Sequence, residues 1–210
     1  MKYLITILIL FTIQGVAAQK IFSERFKKYH EATITYNNRN VQKGWLVRNN
    51  LQKKIIKYKT DKKNKAKVLD VSNVKTITYH FKYWNISYDK IRTLSKNNNI
   101  KDPIWMKVLI RGYLTLYIDP AEMSFVTDPI SGTTHPVSGT TTYYLKRDNE
   151  EFATFFKSES KIINKDVFIE QATEYFSDYT ELVQKIKNKK YKYENINMIV
   201  YEYNLWKSQQ

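Results

Sequence analysis

The chain has 210 residues, no cysteine and a formal net charge of +15, carried by 29 Lys against 6 Arg. The missing thiols exclude disulfides, thiol catalysis and thiolate metal sites. The lysine bias argues against base readout or bidentate phosphate recognition, which use the guanidinium fork, so nucleic acid is not an expected partner.

Anionic lipid or acidic polysaccharide is compatible with such a surface. Lys, Asn, Ile and Tyr are raised together, however, as in an AT-rich coding sequence. The charge alone therefore names no partner.

The first segment has the layout of a cleaved signal peptide. Lys2 supplies the positive start, residues 3–13 (YLITILILFTI) the short apolar run, and Val16-Ala17-Ala18 the small side chains before the cut. The apolar run is short for a hydrocarbon core of about 30 Å. Cleavage after Ala18 leaves residues 19–210, with no later apolar run long enough to span a bilayer as a helix. The expected address is the periplasm, the outer-membrane face or the extracellular space.

From residue 31 the pattern has period two. Ala32, Ile34 and Tyr36 alternate with polar residues, as in a strand with one buried face. Asn37 to Asn40 make a turn, and residues 41–48 (VQKGWLVR) form the next strand, with Gly44 a candidate bulge or close-approach site. Asn49-Asn50 is a hairpin signal, and residues 51–58 return as its partner. A polar loop, 60–67, completes a run of eight lysines: Lys53, Lys54, Lys57, Lys59, Lys62, Lys63, Lys65 and Lys67. Such a run commonly marks a solvated, aggregation-resistant edge. It is also the candidate patch for an anionic partner.

Residues 68–71 are strand-like. Residues 74–84 (VKTITYHFKYW) form a strong strand whose apolar set is Ile77, Tyr79, Phe81 and Tyr83. Residues 87–94 fit a strand or a helical turn. Residues 104–111 fit either a strand or a helical face, and after Gly112 residues 113–118 alternate cleanly as a strand. This stretch, 103–120, is the most apolar after the leader and predicts the hinge between a β-rich first part and a helical second part. Residues 122–127 form a weak strand, 128–140 an exposed Pro/Gly/Ser/Thr loop, and 141–145 a further strand.

Helical patterns follow. Asn149 would cap a short helix 150–156 (EEFATFF), Asn164 a helix 165–179, and Thr180 a helix 181–189. Residues 193–206 make a fourth, with Ile196, Met198, Ile199, Val200 and Tyr203 as its apolar stripe. The expected fold is α+β: an antiparallel part of seven to eight strands over 19–148, a sandwich or a partly open barrel. A cluster of three to four helices over 149–210 packs on it.

Gly44-Trp45-Leu46-Val47, residues 112–117 (GYLTLY), Tyr143-Tyr144-Leu145-Lys146 and residues 199–204 (IVYEYN) resemble a group of uncharacterised secreted proteins of the Bacteroidetes. The resemblance implies export and this order of parts, and no catalytic residues. Members of that group often carry cysteines in the helical part, and this chain has none.

No spacing in the chain marks an active site. His30, His80 and His135 stand alone, without the partners of a metal site. There is no G-x-S-x-G elbow, P-loop or dinucleotide fingerprint, and no cofactor or metal is expected. Asp119 and Glu122 are the best carboxylate pair for general acid–base work. Trp45, Tyr79, Phe81, Tyr83 and Trp84, with Trp105, form a candidate aromatic groove for sugars or peptides, or else a core wall. The function these features favour is a non-enzymatic binding or scaffold module of the cell envelope, its partner an anionic envelope component or another envelope protein. The alternative is a hydrolase of envelope polymers using loop carboxylates.

Overall fold

The computed structural model describes residues 29–47, 51, 55–94, 100–119, 125–127, 134–136, 143–156 and 166–210. The predicted leader, Lys53, Lys54, the Asn49-Asn50 turn, Glu122 and Asn164 lie outside the described residues. No described helix is long and apolar enough to cross a membrane.

The fold is α+β, as the sequence predicts, with more strands than expected. The strands are β1 (Tyr29–Tyr36), β2 (Val41–Val47), β3 (Ile56–Lys59), β4 (Lys67–Leu69), β5 (Val74–His80), β6 (Asn85–Ile91), β7 (Ile104–Ile110) and β8 (Leu114–Ile118), then β9 (Phe125–Thr127), β10 (Thr134–Pro136), β11 (Tyr143–Arg147) and β12 (Thr154–Phe156). Ten of them form one antiparallel sheet ordered β12-β11-β8-β7-β6-β5-β1-β2-β3-β4, and β9 pairs with β10 separately. The helices α1 (Asp166–Tyr175), α2 (Thr180–Lys187) and α3 (Ile196–Lys207) follow, with a 3-10 turn at Tyr193–Asn195 before α3.

The structure corrects several expectations. Residues 104–110 are strand, because β6 and β8 offer backbone partners on both sides. Part of the 128–140 loop is strand β10, paired with β9. Residues 150–156 are not a helix: β12 pairs with β11 and extends the sheet to Phe156. Thr180 is the first helical residue rather than a cap, and its neighbour Tyr179 makes no side-chain capping bond. Met198 faces outward, 56% exposed. Gly44 sits in register opposite Ala32 with no bulge. It is a close-approach site, since a Cβ there would stand 2.7 Å from the Lys59 carbonyl oxygen.

The sheet is not a sandwich but one ladder bent in two directions. Leu69 and Val74 lie at strands four ladder intervals apart, about 19 Å across a flat sheet, and are offset lengthwise as well. Five Cα steps reach at most about 18 Å, so the β3–β4 ribbon folds across the inner face. There it encloses Ala32, Ile34, Leu46, Ile56, Leu69, Ile77, Tyr79, Tyr88 and Trp105.

The other half bends over the opposite face. The Ala153 amide donates to the Arg92 carbonyl (2.9 Å) and the Leu94 amide to the Ala153 carbonyl (3.1 Å), although β12 and β6 are four ladder intervals apart. Met106, Tyr117, Tyr144 and Ala153 fill that bend. The three helices cover the remaining face of this half, over Leu114, Leu116, Leu145 and Phe156. Strand β8 is buried along its whole length, so the central apolar stretch does carry the junction of sheet and helices.

One side chain ties that junction. Asn204 of α3 donates from Nδ2 to the Leu114 carbonyl and accepts the Leu114 amide at Oδ1, both at 2.8 Å. It mimics a strand partner for β8. Gly112 makes room for it, since a Cβ there would lie 2.5 Å from Asn204 Nδ2. Gly112→Ala is expected to displace Asn204, break both bonds and cost about 1–3 kcal/mol, the range for stranding buried polar groups. Urea unfolding measures this, and an unchanged midpoint would contradict it.

The helix cluster also carries a pH dependence. Lys185 Nζ donates to Glu202 and Glu181, each at 2.9 Å, and the Tyr191 hydroxyl donates to Glu202 at 2.7 Å. Burial alone would raise the Glu202 pKa, but the bonds from Tyr191 and Lys185 outweigh it and hold the carboxyl below its usual range. A depressed folded-state pKa contributes stability that is present above the unfolded pKa and lost as pH falls through the folded one. Glu202→Gln is therefore expected to flatten the acid side of the melting-temperature profile between neutral pH and the carboxylate range. The same acid-side slope in both proteins would refute this.

Candidate functional site

The outer face of β1–β3 gathers part of the predicted lysine run. Glu31, Trp45 and Lys59 are register neighbours across β1, β2 and β3, so their side chains share one face. Tyr29 falls on it too by strand alternation. Lys59 Nζ lies 4.5 Å from the centre of the Tyr29 ring, and Lys62 Nζ lies 5.4 Å from the centre of the Trp45 ring. These are cation–π distances. Lys59 Nζ also donates to the Lys62 carbonyl at 3.3 Å, which ties the start of the loop to the strand. Lys62, Lys63, Lys65 and Lys67 are exposed and Lys57 is half-buried on β3.

The predicted aromatic groove does not form. Tyr79 is fully buried and Trp105 nearly so, both in the inner core. Alternation placed Tyr79 on the apolar side of β5, and the folded-over ribbon sealed that side. Phe81 and Trp84 stack at 4.7 Å around the β5–β6 turn, and Tyr83 beside them is 81% exposed. Trp45 points to the opposite side of the sheet from Tyr79, by the register Ala32↔Gly44 and Ala32↔Tyr79. It joins the lysines instead.

His80 contacts Thr33 Oγ1 (2.7 Å) and Asn85 Oδ1 (3.0 Å) through its two ring nitrogens. His30 packs on Phe81 with centroids 5.0 Å apart, and His135 pairs with Val126 in the separate hairpin. Among the described residues no three His, Asp or Glu side chains are placed to hold a metal ion. Asp119 follows β8 and is half-buried.

Two polar clusters escaped the sequence entirely. Asp89, 3% exposed, accepts from Thr76 Oγ1 (2.7 Å), Arg111 Nη2 (2.9 Å) and the Tyr117 hydroxyl (3.0 Å). Burial, then the Asp89 charge, push the Tyr117 hydroxyl well above its ordinary value.

The second cluster borders an open cleft of about 770 Å³ between β11, β12 and α1. Arg147 donates to Glu150 (2.8 Å) and to the Tyr203 hydroxyl (3.0 Å), and also to the Tyr175 carbonyl. Asp178 stands 3.5 Å away. The guanidinium lies 4.1 Å from the centre of the Tyr175 ring. Tyr203 in turn donates to Asp178 at 2.6 Å. Burial alone would lower the Arg147 pKa, but the bonds to Tyr203 and Glu150 and the charge environment outweigh it. Burial, then the bond to Asp178, push the Tyr203 hydroxyl up to about 12. Neither hydroxyl is set up as a base near neutral pH. Both clusters fasten distant segments, and no spacing in the sequence could have announced them, since Arg147 and Tyr203 lie 56 residues apart.

No family model matches the chain, and comparison with curated proteins and with solved structures returns no match.

Proposed function

We propose that the protein is an exported, non-enzymatic envelope module that binds an anionic envelope component through the outer face of β2–β3 and the β3–β4 loop. The observation that carries this is the seating of Lys59 and Lys62 on Tyr29 and Trp45. Beside them stand the exposed Lys43, Lys63 and Lys65, against Glu31 and Asp61 as the acids of the same region. A solvated edge needs charges but no aromatic platform. Lysines held over rings present both a positive field and an apolar contact, which suits head groups or acidic sugars with apolar surface beside the charge. The leader-like first 18 residues and the resemblance to secreted Bacteroidetes proteins support export.

Co-sedimentation with phosphatidylglycerol vesicles across a salt series tests the reading. Binding is expected to weaken steeply with salt, and Lys59→Glu/Lys62→Glu to remove most of it while phosphatidylcholine vesicles bind neither form. Absent binding, or binding indifferent to salt and to the double substitution, would refute it.

A further inference from the structure

A second cleft, of about 910 Å³, opens where β1 turns into β2 and the folded-over β4 leads back to β5. Its floor is a chain of side-chain hydrogen bonds: the Tyr36 hydroxyl donates to Gln42 Oε1 at 2.7 Å, and Gln42 Nε2 donates to the Tyr58 hydroxyl at 3.0 Å. Both rings pack against the inner core, which fixes them. The rims are two turns, at Asn37–Asn40 and Asp70–Asn73, joined by the Asn37 amide donating to the Asn73 carbonyl at 2.8 Å. The Ser72 amide on Asp70 Oδ1 (2.9 Å) fixes the second turn, and Arg39 adopts φ 68° in the first.

The chemistry of this cleft differs from the rest of the surface. In a chain with 35 Lys and Arg, none lines it; Arg39 sits in the first rim turn and Lys90 Nζ donates to the Val71 carbonyl of the second at 2.9 Å. Its polar groups are side-chain amides, two phenols and the Asp70 carboxylate. The hydrogen bonds from Ser72, with the nearby Lys90 charge, outweigh burial and hold the Asp70 carboxyl below its usual range, so the one charged group lining the cleft is anionic. The amide and phenol lining disfavours a wholly apolar ligand, which would strand those groups. What it fits is a neutral ligand dense in hydroxyl groups. Amides and carboxylates offer donors and acceptors in a fixed plane, and Tyr rings together with the exposed Val41 and Val68 (61% and 64%) offer flat apolar surface. The volume lies within the roughly 300–1,000 Å³ of small-ligand sites.

We propose that this cleft binds a neutral oligosaccharide, two or three pyranose rings long, independently of the basic outer face. Amide proton–nitrogen NMR titration tests it with maltotriose, cellotriose and triacetylchitotriose as probes. At least one probe is expected to shift the backbone amides of Asn37, Asn40 and Asn73 saturably. Gln42→Ala and Asn40→Ala are each expected to weaken that probe about tenfold, the cost of one forfeited hydrogen bond to a bound polar group. Lys59→Glu/Lys62→Glu and added salt are expected to leave it unchanged, which separates this site from the anionic one. Asn40 is exposed in a turn, so its variant keeps the test valid if Gln42→Ala loosens the floor. No saturable shift at these amides with any of the three sugars would overturn the proposal. So would a shift indifferent to both cleft substitutions.

Discussion

Asp89→Ala is expected to lower the unfolding free energy by about 3 kcal/mol. Asp89 is almost wholly buried and is the common acceptor for Thr76, Arg111 and Tyr117. Removing it strands two hydroxyls and uncovers one cation. A stranded buried donor costs about 1–3 kcal/mol, and breaking a buried ion pair about 3–5 kcal/mol. The Arg111 side chain is 51% exposed and can turn to water, so the sum falls at the lower end. Asp89→Asn keeps an acceptor of the same shape and is expected to recover roughly half. Urea unfolding of the three proteins gives the order wild type, Asn, Ala. An Ala variant within 1 kcal/mol of wild type, in a cluster predicted to cost about three times that, would show that the three donors find other partners.

Arg147→Met is expected to be comparably severe, again about 3 kcal/mol. Arg147 joins β11 to the end of α1 and to α3 in one step, through Glu150, the Tyr175 carbonyl and Tyr203. Methionine keeps much of the volume but none of the donors. Glu150 and Asp178 retain some contact with water, 26% and 43% exposed, so they are partly rescued by hydration and the loss stays short of the upper range for buried pairs. Lysine is expected to rescue little, because one ammonium cannot serve three directions from the plane of a fork. The helices should also detach before the sheet. Hydrogen exchange in Arg147→Met is expected to rise in α1 to α3 while β1, β2 and β5 stay protected. Uniform loss of protection would mean that the helices and the sheet unfold as one unit.

The alternative hydrolase reading asks for carboxylates poised near a cleft. The carboxylates lining the 770 Å³ cleft are Glu150, Asp178 and the exposed Glu174; Glu150 and Asp178 are engaged with Arg147, Tyr175 and Tyr203. The geometry of Glu150 and Asp178 serves cohesion of sheet and helices through Arg147.

Local pattern by itself determined much of the architecture. Alternation wrote β1 and β5, because a strand on a core must turn every second side chain inward; β8 is buried on both faces. The apolar stripes wrote α2 and most of α3 in the same way, with Leu182, Val183, Ile186, Ile199, Val200 and Tyr203 buried as their spacing requires. The α+β division followed from the same patterns, although β9 to β12 stand between the 103–120 stretch and the helices.

Other features were decided only by tertiary structure. Residues 150–156 carry Phe152, Phe155 and Phe156 at helical spacing, yet they close the open edge of β11 and bond to Arg92 and Leu94. A backbone partner across space outweighs a local propensity of a few tenths of a kcal/mol per residue. Tyr79 became core rather than groove because a ribbon some twenty residues away in sequence folded over it. Trp45 met Lys62 for the complementary reason, being on the side left open. The lysine run was plain in the sequence. Its aromatic footing, the Asp89 and Arg147 clusters and the lysine-free cleft were not, because each joins side chains from strands whose order in the sheet no local pattern encodes.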